Sequence, residues 1–153
     1  MSTAILATCG GFLLAVLWMD LMFDVQVLPH RRAAEVPDAV LASIAAYYRR
    51  VTRDASPMGH LVGAVMAIAV VVLGVRIATG PGSPWPELVS LVLCGVPSAL
   101  AFRRVLPNAR ALAIRVDSPA RQSALARSIC RDHLLCLAGI VAFVALQVVT
   151  AVR

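Results

Sequence analysis

Four long apolar runs dominate this sequence and limit what it can fold into. They cover residues 4–28, 59–75, 88–102 and 134–152. A bilayer core of about 30 Å is crossed by about 20 helical residues, with about 17–25 as the working range. Only 14% of the chain is charged and its mean hydropathy is +0.85, whereas about a quarter of a soluble domain is charged. The sequence therefore predicts a multi-pass integral membrane protein in contact with the lipid bilayer.

The predicted fold is all-α, an integral membrane four-helix bundle in a single domain over residues 1–153. We expect the spans at about 4–28, 57–77, 86–103 and 131–152. After the first span, the segment EVPDAVLASIAAYYRR carries an apolar stripe at helical spacing. It predicts a short amphipathic interfacial helix with its tyrosines at headgroup level. Ser118 and Pro119 are expected to begin a long final helix that protrudes from the membrane.

Charge placement predicts the topology. The chain has 14 basic residues, all of them arginine, and a net charge of +6. Most of them lie in two connections, one between the first two spans and one between the last two. By the positive-inside rule both Arg-rich connections are cytoplasmic, and both termini lie outside the cell inner membrane. We interpret the positive charge as facing anionic lipid headgroups and not nucleic acid.

Polar residues recur inside the apolar runs at matching depth. Asp20 and Asp24 are one helical turn apart in the cytoplasmic half of the first span, so they project from one helix face. With the predicted topology, His60 of the second span and His133 of the fourth lie near the same boundary. Asp132 and His30 are accessory candidates. The sequence thus predicts an Asp/His pocket that opens to the cytoplasmic leaflet.

Three interpretations of this pocket remain open. Asp20, Asp24, His60 and His133 form a mixed nitrogen and oxygen set that suits a divalent transition metal, namely iron, copper, manganese or zinc. The same residues also suit a metal-free acid–base site that acts on a lipid-soluble small molecule. In a purely structural interpretation, the aspartates pair with nearby arginines, for which the candidates are Arg31, Arg32, Arg127 and Arg131. An intramembrane Asp costs about 2.5–3.5 kcal/mol on insertion scales, and such residues are usually functional.

A non-enzymatic role is the main alternative. Gly59, Gly63 and Ala67 form a small-residue face that lets a neighbouring helix approach closely. This face predicts a homo-oligomer or an accessory subunit of a membrane complex. A proton- or ion-coupled transport component would also use the carboxylates.

Three stretches give the chain a family resemblance: FDVQVLPHRRAAEVPDAVLASIAAYYRRV, VPSALAFRRVLPNARALA and ARSICRDHLLCLAGIVAFVALQ. In these it resembles the anthrone-oxygenase-like family of small four-helix membrane proteins. The resemblance implies a fold found near polyketide-tailoring oxidations, and it carries over His133 as a site residue. It adds an oxidoreductase-like, oxygenase-like activity to the functions that the Asp/His pocket allows.

Overall fold

The computed structural model describes residues 2–54 and 56–152, and its regular secondary structure in these ranges is helical, without a strand. The predicted domain also includes Met1, Ala55 and Arg153, which lie outside the described residues. Six α-helices follow one another along the chain: α1 (Ser2–Asp24), α2 (Asp38–Arg49), α3 (Ser56–Thr79), α4 (Trp85–Leu100), α5 (Leu106–Ile114) and α6 (Pro119–Val152).

Four helical stretches are long and apolar enough to cross a membrane. They are Ser2–His30, Pro57–Thr79, Trp85–Ile114 and Pro119–Ala151. The predicted all-α fold with four apolar spans is confirmed. The first stretch includes a 3₁₀ turn after α1, and the third runs through a π-helical turn from α4 into α5. The second to fourth stretches are longer than the predicted spans. The third continues through α5, and the fourth begins at Pro119, before the last apolar run.

Many large apolar side chains on these stretches are exposed. Trp18 on α1, Val71 on α3, Val92 on α4 and Leu135 on α6 are all exposed. So many exposed large apolar side chains are unusual on a soluble monomer. They form the surface expected of helices that contact lipid.

The four long helices form a ring, in which α1 packs on α3, α3 on α4, α4 on α6 and α6 on α1. Neighbouring helices run antiparallel. Arg76 near the end of α3 pairs with Glu87 at the start of α4 at 2.7 Å and donates to Thr3 of α1 at 3.4 Å. Gln147 near the end of α6 donates to Ser90 of α4 at 2.9 Å. The end of α1 and the start of α3 therefore lie at the opposite end of the bundle.

Two glycines set the close helix approaches within the bundle. A Cβ atom at Gly139 of α6 would lie 2.8 Å from Pro97 Cγ and 3.1 Å from the Leu93 carbonyl oxygen of α4. A Cβ atom at Gly10 of α1 would overlap the Val144 side chain of α6. Helix α4 can approach α6 this closely only because Gly139 has no side chain, and α1 can do so only because Gly10 has none.

The glycines of the predicted small-residue face, Gly59 and Gly63, are not tightly packed. A Cβ atom at Gly59 would meet no atom within 4 Å, and one at Gly63 would lie 3.6 Å from Phe102, an ordinary contact. Gly59 and Ala67 are exposed. Among the described residues, the close helix approach expected at this face is therefore not made at Gly59 or Gly63.

One hydrophobic cluster, the bundle core, lies within the ring and comprises Leu6, Cys9, Leu13, Leu17, Ala69, Leu73, Cys94, Cys136, Ile140 and Phe143. A second hydrophobic cluster lies beyond the ring, and we call α2, α5 and residues 119–130 of α6 the cap. The predicted helix after the first span is present as α2, but its apolar stripe packs inside the cap. Tyr48 is only 3% exposed, so its ring lies inside the protein; the depth of both tyrosines relative to the headgroups stays a prediction. Helix α5 was not expected, because its short apolar pattern sits among arginines. The cap core comprises Val27, Val36, Leu41, Ile44, Ala45, Tyr48, Val105, Ala109, Leu112, Ala113, Leu125, Ala126, Ile129 and Cys130.

Hydrogen bonds to α6 fix the connection between α1 and α2. Arg127 donates to the carbonyl oxygens of His30 and Ala33, at 3.1 and 2.8 Å. The Val36 amide donates to the Ser123 hydroxyl at 2.9 Å. These bonds satisfy backbone groups outside regular structure. They also hold α2 against the end of α1, where the aspartates lie.

Candidate acid–base site

A layer of polar side chains separates the bundle core from the cap core. On α1, Asp20 and Asp24 lie between Leu17, which belongs to the bundle core, and Val27, which belongs to the cap core. On α6, His133 follows cap residues and precedes bundle residues in the same way. Because apolar side chains cover this layer from both sides, its polar atoms depend on one another for hydrogen bonds.

His133 lies between the two carboxylates. Its Nδ1 atom is 2.6 Å from Asp24 Oδ2, and its Nε2 atom is 3.6 Å from Asp20 Oδ2. The Asp24 side chain is fully buried and that of His133 is 6% exposed, whereas that of Asp20 is 15% exposed. The Asp24 contact is thus a short buried hydrogen bond, and the Asp20 side is the more open edge of the site.

Helix α2 supplies one tyrosine to each carboxylate. The Tyr47 hydroxyl donates to Asp20 Oδ1 at 2.6 Å, and the Tyr48 hydroxyl donates to Asp24 Oδ1 at 2.7 Å. The Tyr47 ring stacks on Phe23 of α1, with centroids 4.1 Å apart and an interplanar angle of 10°. Each aspartate therefore accepts from a phenol with Oδ1 and faces His133 with Oδ2.

The surroundings of both phenols keep them protonated. Burial and the neighbouring Asp20 carboxylate raise the pKa of Tyr47 far above its ordinary value. Burial and the Asp24 carboxylate likewise raise the pKa of Tyr48 well above its ordinary value. A phenolate here would be desolvated and would face a carboxylate at hydrogen-bond distance. Both hydroxyl groups therefore serve as donors throughout the physiological pH range.

Hydrogen-bond roles fix the orientation of the imidazole. An ionised carboxylate only accepts hydrogen bonds, so with Asp24 ionised the hydrogen of the 2.6 Å bond belongs to His133 Nδ1. Nε2 then points toward Asp20 as the atom that gains or loses a proton. This is the arrangement in which a buried aspartate fixes the tautomer of a working histidine.

The structure brings together Asp20, Asp24 and His133 of the four predicted site residues. His60 lies on the exposed part of α3 near its start. His30 ends the 3₁₀ turn after α1, where its carbonyl oxygen accepts from Arg127. Asp132 is buried, but its ion pairs are made with arginines and not with the cluster.

The donors of the cluster contact one another directly. Across the described residues, no group of three or more His, Cys, Asp or Glu side chains has a metal-binding arrangement. Two ligands about 2.1 Å from one metal ion lie about 3 Å or more apart, whereas His133 Nδ1 and Asp24 Oδ2 are 2.6 Å apart. As arranged, these residues form a hydrogen-bonded network that does not fit the predicted metal.

Tyr47 and Tyr48 were not predicted as site residues. Tyr48 continues the helical stripe of Leu41 and Ile44, which indicated burial but not a partner. Tyr47 lies off that stripe and is placed by its stacking on Phe23. Only the docking of α2 onto α1 reveals that both hydroxyl groups reach the aspartates.

Comparison with known proteins gives no family assignment, since no family model, no curated protein and no solved structure matches the chain.

Proposed function

We propose that this protein is a membrane-embedded acid–base catalyst that exchanges a proton with a lipid-soluble small molecule at the cytoplasmic boundary. The observation that carries the proposal is the position of His133, 2.6 Å from buried Asp24 and 3.6 Å from the more exposed Asp20. One nitrogen of the imidazole is held by a fixed partner, and the other faces the open edge of the site.

The proposed chemistry assigns a role to each residue. A substrate with an acidic C–H or O–H group gives its proton to His133 Nε2, and the electron pair stays on the substrate as an enolate or alkoxide. Asp20 and Asp24 stabilise the imidazolium ion formed, while Tyr47 and Tyr48 hold the two carboxylates in place. Return of the proton from Nε2 completes the exchange. Such positioned bases contribute about 10²–10⁴-fold to rate.

Deuterium incorporation tests this function. Protein in lipid vesicles suspended in D₂O is mixed with lipid-soluble ketones that carry an enolisable C–H bond, and mass spectrometry follows exchange. We expect wild-type protein to accelerate the exchange and His133→Gln to lose about 100-fold or more of that acceleration. Equal exchange rates with wild type, His133→Gln and empty vesicles would contradict the proposal.

A separate experiment tests the metal alternative. For that alternative, the resemblance to anthrone-oxygenase-like proteins implies an oxidation reaction. Elemental analysis of detergent-purified wild type is compared with Asp24→Ala and His133→Ala. The acid–base proposal expects no stoichiometric iron, copper, manganese or zinc in any of the three. One metal ion per chain in wild type, lost in both variants, would favour a metal-dependent oxidoreductase instead.

A second candidate function is that of an interaction subunit. It is favoured by the exposure of Gly59 and Ala67 on α3, and by the absence of any described atom within 4 Å of a Cβ atom placed at Gly59. In this case Ala67→Leu abolishes self-association or a co-purifying complex in mild detergent, whereas His133→Gln leaves it intact. Retention of the complex in Ala67→Leu would contradict a role for this face.

A further inference from the structure

A second buried carboxylate, outside the acid–base site, is surrounded by arginine. The Asp132 side chain is 1% exposed and lies at the level where α6 leaves the cap. Arg104 Nε, in the π-helical turn after α4, is 3.2 Å from Asp132 Oδ2, and Arg131 Nη2 is 3.3 Å from Oδ1. Ser128 completes the group, since Arg104 Nη2 donates to its hydroxyl at 3.4 Å.

This group carries more positive charge than Asp132 needs. Two guanidinium ions against one carboxylate leave a net charge of +1. Each guanidinium has five N–H donors, and the contacts above use two on Arg104 and two on Arg131. Their side chains are 49% and 62% exposed. Asp132 thus holds two arginines in place while their outer donors face the surroundings.

The surface beside these arginines changes from charged to apolar in the direction of the membrane core. Leu135 is one helical turn beyond Arg131 on α6, and Phe102 precedes Arg104 by two residues; both are exposed. Arg104 lies two residues after the third apolar run, and Arg131 lies three residues before the fourth. The two guanidinium groups therefore lie where headgroup phosphates lie, next to side chains that contact acyl chains.

We propose that Arg104 and Arg131 form a binding site for the phosphate of an anionic phospholipid, with Asp132 as the residue that positions both guanidinium groups. Arginine binds phosphate through paired N–H donors, and Phe102 and Leu135 contact the acyl chains. The proposal is independent of the acid–base function, because it uses none of the groups that exchange the proton.

Lipid-dependent thermal stabilisation of the detergent-purified full chain tests the site. Phosphatidylglycerol, phosphatidylcholine and inorganic phosphate are titrated into wild type, Arg104→Gln/Arg131→Gln and the matched control Arg110→Gln/Arg121→Gln. The control removes the same charge from exposed positions of the cap. We expect wild type and control to prefer phosphatidylglycerol over phosphatidylcholine, and the Arg104/Arg131 variant to lose about tenfold or more of its phosphatidylglycerol affinity.

Two results would overturn the proposal. One is equal phosphatidylglycerol affinity in the Arg104/Arg131 variant and the control. The other is saturation by inorganic phosphate alone at the same affinity, which would indicate a free-anion site. If the double variant does not fold, Arg131→Gln alone is measured, since the hydrogen bonds of this guanidinium within the described part of the chain go to the adjacent Asp132. It is expected to weaken phosphatidylglycerol binding about fivefold, and an unchanged affinity would again overturn the proposal.

Discussion

At the scale of single residues, neighbouring polar side chains stabilise the two carboxylates of the site. Asp24 is fully buried, and its two oxygen atoms are occupied by Tyr48 and His133. Asp20 has the same types of partner but is partly exposed. The two carboxylates therefore have the same kinds of partner and differ in their access to solvent.

The two tyrosines offer a direct test of this burial. The chain contains only two tyrosines, and both have raised pKa values, because each is buried against a carboxylate. We expect no tyrosinate absorbance in the folded protein at about pH 10, the ordinary phenol pKa, and about half of the full tyrosinate absorbance after unfolding at the same pH. Because the unfolded state releases these protons first, the contribution of the two tyrosines to the free energy of unfolding should be constant below about pH 10 and fall above it. Titration of both phenols near pH 10 in folded protein would contradict the described contacts.

Removal of one hydroxyl group should distinguish the two aspartates. Tyr48→Phe leaves a buried carboxylate with one donor fewer, and we expect it to lower the free energy of unfolding by about 1.5–3 kcal/mol. Tyr47→Phe should cost less, because water can reach Asp20. Unfolding in detergent, followed by circular dichroism, measures both variants. A larger loss for Tyr47→Phe would reverse the assignment of Asp24 as the buried member.

At the scale of helices, α6 organises the molecule. Its outer part packs on α2 and α5 to form the cap, and its inner part packs on α1 and α4 in the bundle. His133 lies between these parts, so one helix joins both hydrophobic cores and carries the imidazole. The tight crossing at Gly139 fixes the position of α6 against α4.

Replacement of Gly139 should separate these helices. Gly139→Ala places a Cβ atom 2.8 Å from Pro97 Cγ and 3.1 Å from a backbone oxygen, and we expect it to lower the free energy of unfolding by about 1–3 kcal/mol. Gly95→Ala on α4 is the control, since its Cβ atom would meet nothing within 4 Å. Equal stability of the two variants would show that α4 and α6 are not closely packed there.

The sequence predicted the helices more completely than their contacts. The length of the apolar runs was sufficient to predict the four spans, and the apolar stripe in residues 40–48 was sufficient to predict α2. Gly59 and Gly63 matched a packing motif, but the close approaches are at Gly10 and Gly139. A spacing pattern describes one helix, whereas a crossing depends on which faces of two helices meet. For the same reason, depth matching brought Asp20, Asp24 and His133 together correctly but could not identify Tyr47 and Tyr48.

At the scale of the whole molecule, the account depends on a membrane orientation derived from charge. The cap, which is rich in arginine, is proposed to face the cytoplasm, and the short α3–α4 connection is proposed to face outward. The four native cysteines are buried, so introduced cysteines can report on orientation. We expect a membrane-impermeant maleimide to label Ser83→Cys in intact cells and Ser118→Cys only after permeabilisation. The reverse pattern would place the site at the outer leaflet.

The most direct test of the acid–base site is the protonation of His133 itself. Nitrogen-15 NMR of histidine-labelled protein in lipid, assigned with His133→Gln, reports which imidazole nitrogen carries hydrogen. The account predicts a protonated Nδ1 in a strong hydrogen bond at neutral pH, with a signal that shifts in Asp24→Asn. A neutral imidazole with hydrogen on Nε2 alone, unchanged by Asp24→Asn, would contradict it.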